Sequence, residues 1–233
     1  MVKKIVTAQF YRMGLRGLRW LVSFEPIARP LEDFARVLQR HRKLYAHLRT
    51  QHFDAIIDGG ANIGEFAQIT RAALPAADLL CVEPNHECAT ALRERRFRVV
   101  EVALWNMATE LTLMQPTSAS TSCTVLLGDR DPDRTTRKWV VPAVRLDSLQ
   151  ISGSRVLVKL DLQGAEMQAL EGMGELWRRC AGLLLEVSFG ADGTYERLRK
   201  MLADHGFHEA STTNELWENG RVIEADKLWL RNA

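Results

Sequence analysis

Short apolar runs alternate with amphipathic, helix-like stretches from residue 53 to the end of the chain. The apolar runs predict strands at 53–58, 79–83, 98–103, 156–161, 183–187, 207–210 and 227–231, and two further short strands at 111–114 and 138–146. The stretches between them predict helices at 64–73, 87–95, 165–172 and 194–205, and a turn at 217–221. Repeated strand–helix units with apolar strands imply a mostly parallel sheet that helices cover on both faces.

The first 50 residues differ from the rest of the chain in pattern and in charge. Their apolar positions recur at helical spacing over 5–24 and again over 31–49. They hold 11 of the 31 Lys and Arg residues but three of the 29 Asp and Glu residues, a net charge of +8 against −6 for the remainder. We therefore predict an N-terminal helical extension, 1–50, that packs on a main domain, 51–233. The alternatives for the first helix are peripheral contact with an anionic membrane surface and closure over a substrate.

Charge and cysteine usage also limit the possible partners and the compartment. A chain whose basic residues collect at one end argues against a nucleic-acid-binding surface on the main domain. No apolar run reaches the ~18–20 residues that a membrane-spanning helix needs. The four cysteines form no Cys-x-x-Cys pair, and no His/Cys cluster has zinc-ligand spacing. These features predict a reduced, cytoplasmic protein without a transmembrane span, and we assign it no metal.

The most informative segment joins the first predicted strand to the first predicted helix and reads DGGANIG over residues 58–64. A glycine-rich turn at this place lets a ligand approach the backbone and meet the N–H groups at the helix start. The acid at the strand end suits a ligand with cationic or hydroxyl groups better than a bare phosphate. S-adenosylmethionine carries such groups in its amino group, sulfonium and ribose, so the turn points to this cofactor.

Glycine spacing and a second acid bear on the choice between cofactors. The dinucleotide pattern G-x-G-x-x-G would fall on Gly59, Ala61 and Gly64, so its middle glycine is missing. Glu83 ends the second predicted strand, where a carboxylate binds the ribose hydroxyls of a nucleoside. NAD enzymes use the same device, so an NAD-dependent dehydrogenase stays open as an alternative that the glycine spacing disfavours.

Acids and small residues recur where the predicted strands end. In sheets of this kind, ligands bind beyond the carboxyl ends of the strands. The rule places five positions that are distant in sequence along one crevice: Asp58, Glu83, Ala103, Asp161 and Glu186.

Several motifs in the middle of the chain occur together and in a fixed order. Residues 158–166 read VKLDLQGAE and residues 169–172 read ALEG, close to the V-K-I-D-V-Q-G-A-E…L-x-G signature of FkbM-family methyltransferases. The VRLDSL of 144–149, the VEPN of 82–85 and the LLEV of 184–187 also match motifs of that family. The chain therefore resembles an FkbM-family methyltransferase from residue 53 to about residue 190.

The resemblance implies a class I methyltransferase fold, a Rossmann-like α/β three-layer sandwich with a seven-stranded, mostly parallel sheet and an antiparallel last strand. It also implies S-adenosylmethionine-dependent O-methylation of a hydroxyl on a sugar, a polyketide-like molecule or another small or glycosidic acceptor. By position, the cofactor-binding residues would be Asp58, Gly59, Gly60, Asn62 and Gly64 for the methionine part, Glu83 for the ribose, and Ala103 and Leu104 for the adenine. A non-catalytic cofactor-binding or scaffold module with this fold is the alternative.

Asp161 is the predicted catalytic residue. Methyl transfer from a sulfonium depends largely on positioning, but an alcohol acceptor must also lose its proton to a base. Asp161 ends a central strand, so it suits that role; a hydrogen bond to the donor's amino group and a role in the turn are the alternatives. Lys159 lies two residues earlier on the same side of the strand and is expected to pair with a carboxylate, structurally or in catalysis.

Four further residues are predicted on the acceptor side of the site. Thr121 and Ser122 belong to the long polar loop 115–137, and loops of this length are often functional lids. Glu166 falls in the first turn of a predicted helix, where stabilising the helix dipole is an equally good interpretation. Glu186 ends the strand at 183–187.

Overall fold

The computed structural model describes residues 42–116, 124–125, 136–190 and 193–231. The predicted helix at 5–24, most of the one at 31–49 and the predicted acceptor-side residues Thr121 and Ser122 lie outside the described residues. The strands are β1 (Ala55–Gly59), β2 (Asp78–Val82), β3 (Arg98–Val100), β4 (Ala103–Leu104), β5 (Thr109–Pro116), β6 (Thr124–Val125), β7 (Thr136–Val144), β8 (Val156–Leu160), β9 (Cys180–Ser188), β10 (Phe207–Glu218) and β11 (Arg221–Arg231). The α-helices are α1 (Arg42–Thr50), α2 (Glu65–Ala73), α3 (His86–Glu94), α4 (Glu166–Glu171) and α5 (Thr194–Asp204), with short 3-10 helices at Leu146–Ser148 and Gly174–Arg178.

The main sheet has seven strands in the order β10-β11-β9-β8-β1-β2-β3. Its neighbours from β9 to β3 pair in parallel, whereas β11 runs antiparallel to both β9 and β10. The last strand is therefore inserted in the reverse direction between two strands that share a direction. This arrangement confirms the predicted Rossmann-like sheet with an antiparallel last strand.

Apolar clusters hold the helices against the main sheet. Every residue of β1 and of β8 is buried, as expected for central strands that helices cover on both faces. Ile57 packs in a cluster with Leu170 of α4, while the neighbouring Ile56 packs in another with Leu44 and Leu48 of α1. Truncation of a fully buried leucine such as Leu48 to alanine costs about 2–5 kcal/mol. The described end of the predicted extension thus packs on the main domain, and a domain division at residue 50 stays a prediction.

A second sheet, in the order β4-β7-β5-β6, corrects one strand prediction. The predicted strand at 98–103 is two strands, because Arg98–Val100 pairs with β2 and Ala103–Leu104 pairs with β7. Because of this break, Ala103 lies in the second sheet and not in the main one. From there it can line one side of the crevice. The strands β5 and β7 pair over a longer stretch than predicted.

The hairpin of β10 and β11 is also longer than the sequence pattern predicts. It turns at Asn219 and Gly220, both of which have a positive φ, as two-residue hairpin turns require. Trp217 belongs to β10 and not to the turn. The hydrophobic pattern failed here because the outer half of the hairpin is exposed and carries few apolar residues.

Candidate active site

A cavity of about 270 Å³, which we call the central cavity, lies at the carboxyl ends of the main-sheet strands. It brings together seven of the predicted site residues, namely Gly60, Asn62, Glu83, Ala103, Leu104, Asp161 and Glu186. Apolar side chains of Val82, Val102, Leu113 and Leu162 complete much of its wall. The glycine loop, the motif with Glu83 and the motif with Asp161 are far apart in sequence but border the same cavity.

The loop after β1 crosses the end of β2 in a conformation that requires glycine. Gly60 has φ +67°, and a Cβ atom on it would lie 1.9 Å from the backbone oxygen of Asp161. The backbone N–H groups of Gly60 and Ala61 both donate to the carbonyl of Val82, at 3.0 and 3.2 Å. Gly64, with φ +91°, precedes the first residue of α2. The loop thus exposes backbone to the central cavity at a point where any side chain on residue 60 would be excluded.

Glu83 ties this loop to the end of β2. Its Oε2 atom accepts a hydrogen bond from the backbone N–H of Asn62 at 2.7 Å, and its Oε1 atom accepts one from Asn85 at 2.9 Å. Burial raises the pKa of the Glu83 carboxyl above its usual range, and the two N–H donors oppose that rise. Each carboxylate oxygen has lone pairs beyond those the backbone uses, so Glu83 can accept further hydrogen bonds from a ligand in the cavity.

Asp58 lies beneath the loop and is fully buried. Its Oδ1 atom is 3.2 Å from Nζ of Lys159, which sits directly opposite it on the neighbouring strand β8. The ammonium also donates to the carbonyls of Gly60 at 2.8 Å and Gly59 at 3.2 Å. Burial lowers the pKa of Lys159, but the Asp58 and Asp161 carboxylates outweigh that effect and raise it, so the ammonium stays charged.

The pairing shows how Asp58 supports the glycine loop. Lys159 joins the Asp58 carboxylate to two loop carbonyls, so the expected carboxylate partner of this lysine is Asp58. The Asp58 side chain does not border the central cavity. A direct contact between Asp58 and the methionine part of a cofactor stays a prediction, and Gly59 and Gly64 likewise lie outside the cavity lining.

Asp161 and Glu186 form an acidic pair that Gln163 bridges. The Nε2 atom of Gln163 donates to Asp161 Oδ1 at 3.0 Å and to Glu186 Oε2 at 2.8 Å. Burial, the neighbouring carboxylates and a hydrogen bond with Asp161 raise the pKa of Glu186 to about 9. The Glu186 carboxyl therefore favours its protonated form at neutral pH.

Two further cavities flank the central one. The lateral cavity, of about 240 Å³, is bordered by acids and by apolar side chains of α1, α2 and the sheet: Leu44, Glu65, Phe66, Asp161, Leu184, Glu186 and Asp226. The α5 cavity, of about 210 Å³, lies between α4 and α5 and includes Glu166, Met167, Glu186, Tyr195 and Leu198. Asp161 and Glu186 both border the central and the lateral cavity, and Glu186 also borders the α5 cavity.

Glu166 holds the turn that follows Asp161. Its Oε1 atom accepts hydrogen bonds from the backbone N–H groups of Leu162 at 2.7 Å and Gly164 at 3.3 Å. These bonds close a turn in which Gln163 and Gly164 both have positive φ. The geometry shows Glu166 organising this turn, and an acceptor-binding role for it stays a prediction.

Sequence reasoning gave Gln163 no role of its own. One sequence feature could have drawn attention to it. Gln163 and Gly164 lie between an acid that ends a strand and the start of a helix, where a left-handed turn reverses the chain. That feature indicates the backbone conformation but does not reveal that the side chain reaches Glu186 on β9.

The match to a family model identifies the chain. The model of the methyltransferase FkbM domain matches residues 58–209, more than half of the sequence. The chain belongs to the FkbM methyltransferase family. The match starts at Asp58 and includes both the glycine loop and the Asp161–Glu186 pair, so the central cavity lies within the FkbM domain. No protein of curated function matches the sequence.

Solved structures of low sequence identity align with the FkbM chain over most of its length. Magnesium protoporphyrin IX methyltransferase (ChlM) from Synechocystis PCC 6803 with bound SAM is 13% identical, covers 99% of this chain and 97% of its own, and has a TM-score of 0.48. The precorrin-6y C5,15-methyltransferase of Geobacter metallireducens GS-15 is 14% identical over 82% and 87%, with a TM-score of 0.43. A putative RNA methyltransferase of Pyrococcus horikoshii is 13% identical over 88% and 86%, with a TM-score of 0.44.

Two further findings apply to the described residues of the FkbM domain. They contain no group of three or more His, Cys, Asp or Glu side chains placed to hold a metal ion. No helix in the same part of the chain is long and apolar enough to cross a membrane.

Proposed function

We propose that this FkbM-family methyltransferase transfers the methyl group of S-adenosylmethionine to a hydroxyl of a small-molecule acceptor, such as a sugar or a polyketide-like molecule. The observation that carries the proposal is the central cavity, where the glycine loop, Glu83 and Asp161 meet. These three features lie at the ends of three different strands, β1, β2 and β8. In the proposal, the first two bind the cofactor and the third acts in catalysis.

The residues around the central cavity fit S-adenosylmethionine. Gly60 borders the cavity without a side chain, and a Cβ atom there would clash with the Asp161 backbone, so the loop presents backbone to the methionine part. Glu83 has acceptor capacity for the two ribose hydroxyls. Ala103 and Leu104 are buried and apolar, and they offer a flat wall to the adenine. When bound, the cofactor supplies an activated methyl group on a sulfonium.

In the proposed reaction, Asp161 accepts the proton of the acceptor hydroxyl while the oxygen attacks the methyl carbon. The oxygen–carbon bond forms as the carbon–sulfur bond breaks, and the electron pair of that bond leaves with sulfur. The products are a methyl ether, neutral S-adenosylhomocysteine and a protonated carboxyl on the enzyme. Asp161 suits this role because its side chain is part exposed and borders both the central and the lateral cavity.

The lateral cavity supports a small acceptor. Its volume of about 240 Å³ suits a group of roughly the size of one or two sugar rings. Its wall combines apolar side chains with four acids and one cation, Lys159, which pairs with Asp58. Carboxylates accept hydrogen bonds from hydroxyls but repel the phosphates that dominate nucleic-acid binding. A neutral or cationic hydroxyl-bearing acceptor therefore fits this lining better than RNA or DNA.

Mass spectrometry of reaction mixtures tests the proposal. The purified protein is incubated with S-adenosylmethionine and separate pools of sugars, glycolipid headgroups, polyketides and short RNA. We expect a methylated product from one of the small-molecule pools and none from RNA. A product in the RNA pool alone would refute the acceptor class, and cofactor binding without any transfer would support the non-catalytic alternative.

A further inference from the structure

Glu186 occupies a position that the proposed reaction does not yet use. It borders the central cavity, the lateral cavity and the α5 cavity. A molecule bound in any of these three cavities would therefore lie beside Glu186. Titratable residues in a cleft whose pKa is shifted by burial and by charged neighbours cluster at functional sites, so this placement favours a functional role for Glu186.

The strand register explains why the acid pair forms. On β9, Leu185 lies opposite Leu160 of β8, so the next residues along the two parallel strands, Glu186 and Asp161, also lie side by side. On the other side, Glu186 pairs directly with Asp226 of β11. The carboxyl ends of β8 and β9 and the middle of the antiparallel β11 thus bring three acids together. Like charges at this spacing disfavour full ionisation.

The groups that face Glu186 come from several elements. The acids are Asp161 after β8, Glu224 and Asp226 on β11, Glu65 of α2 across the lateral cavity and Glu166 of α4 across the α5 cavity. The facing cation is Lys159, which is 3.2 Å from Asp58 and 3.6 Å from Asp161. Acids outnumber cations in this set, and burial with the neighbouring carboxylates raises the pKa of Glu186 to about 9.

We propose that Glu186 is a second catalytic residue, which together with Asp161 forms a carboxyl pair that holds one proton and acts as a single acid–base unit. This inference rests on the proposed function. It adds which side chains hold and exchange the proton that the acceptor hydroxyl loses. In the resting pair Glu186 carries the proton, and the Gln163 amide donates to both side chains.

The pair accounts for the proton through the whole reaction. The acceptor hydroxyl gives its proton to the pair as the oxygen–carbon bond forms, so both carboxyls become protonated while sulfur leaves with its electron pair. One proton then passes to solvent through the exposed side of Asp161, and the singly charged pair is restored. A single negative charge also matches the single positive charge of a sulfonium, whereas two adjacent carboxylates would not.

Infrared spectroscopy tests the proton directly, without knowledge of the acceptor. The full chain is titrated and the carbonyl band of protonated carboxyls is followed in the wild type, in Glu186→Gln and in the matched control Glu175→Gln. Glu175 is an exposed surface glutamate in the 3-10 helix at Gly174–Arg178. We expect a wild-type band at pH 7 that titrates with a midpoint of about 9, is lost in Glu186→Gln and persists in Glu175→Gln. A wild type without this band, or a band that persists in Glu186→Gln, would overturn the proposal.

Kinetics with the acceptor found in the pools then tests catalysis. Gln at position 186 keeps a side chain of similar shape with hydrogen-bond donors but cannot carry the transferable proton. We expect kcat to fall by about 10²-fold or more, with S-adenosylhomocysteine affinity within about threefold of the wild type and a changed pH–rate profile. An unchanged kcat and profile would overturn the catalytic role. Failure of the proposed function has a different signature, which is absence of S-adenosylhomocysteine binding in a folded sample.

Discussion

Removal of the Lys159 ammonium is expected to destabilise the fold far more than removal of a surface lysine. In Lys159→Met the Asp58 carboxylate, which is fully buried, loses the cation 3.2 Å away. Breaking a buried ion pair from one side costs about 3–5 kcal/mol, since a buried charge is left without a partner. The two hydrogen bonds to the Gly59 and Gly60 carbonyls are lost as well. For a domain of this size, such a loss corresponds to a melting temperature about 10 °C lower.

Urea denaturation followed by circular dichroism measures this cost. The matched control is Lys200→Met, because Lys200 pairs with Asp204 at a similar distance of 2.8 Å, but with both side chains mainly exposed. The control is expected to change the free energy of unfolding by less than about 1 kcal/mol. The double variant Asp58→Asn/Lys159→Met removes the orphaned charge, so we expect it to recover about 1–3 kcal/mol relative to Lys159→Met alone.

Two outcomes of these stability measurements would refute the reasoning. Equal costs for Lys159→Met and Lys200→Met would show that burial does not strengthen the pair. A double variant that is no more stable than Lys159→Met would show that the cost comes from packing and not from the uncompensated Asp58 charge.

Two further predictions concern the glycine loop and the acid pair. Gly60→Ala is expected to weaken S-adenosylhomocysteine binding at least tenfold in calorimetry, because the new Cβ atom would clash with the Asp161 backbone. The control is Gly193→Ala, since Gly193 has a similar φ of +73° but no atom lies within 4 Å of the position of its Cβ. Equal losses in the two variants would refute the steric argument. Glu186→Gln is expected to match the wild type in melting temperature near pH 4.5 and to exceed it increasingly towards pH 9. A raised folded-state pKa contributes stability that is present at low pH and lost as pH rises to about 9, and glutamine removes that loss. A melting-temperature difference that does not change with pH would contradict this.

The sequence predicted the centre of the sheet well because its strands β1 and β8 are fully buried. Apolar residues make up most of β1 and β8. Asp58, near the end of β1, and Asp161, just after β8, mark where the two strands end. Once the ends of parallel strands are known, the crevice follows from the general geometry of such sheets. The meeting of Glu83 and Asp161 in one cavity was therefore predictable.

The roles of individual side chains were harder to predict, because they depend on register between distant strands. The β1–β8 register puts Lys159 directly beside Asp58, and this ion pair could not be read from the sequence. The predicted contact between Asp58 and the cofactor stays a prediction. Nothing in the local pattern around residue 58 specifies a partner that is about 100 residues away. The same holds for the Gln163 amide, whose reach to Glu186 depends on a left-handed turn and on the β8–β9 register.

Calorimetric titration with S-adenosylhomocysteine tests the central claim most directly, namely that the central cavity is the donor site. The wild type is compared with Glu83→Gln, whose side-chain amide can no longer accept from both Asn62 and Asn85, and with Glu87→Gln as an exposed control on α3. We predict one site per chain in the wild type and in the control, and an affinity at least tenfold lower in Glu83→Gln, a difference of about 1.4 kcal/mol or more. Absence of binding at millimolar ligand in a folded wild-type sample, or equal affinity in all three proteins, would contradict the account.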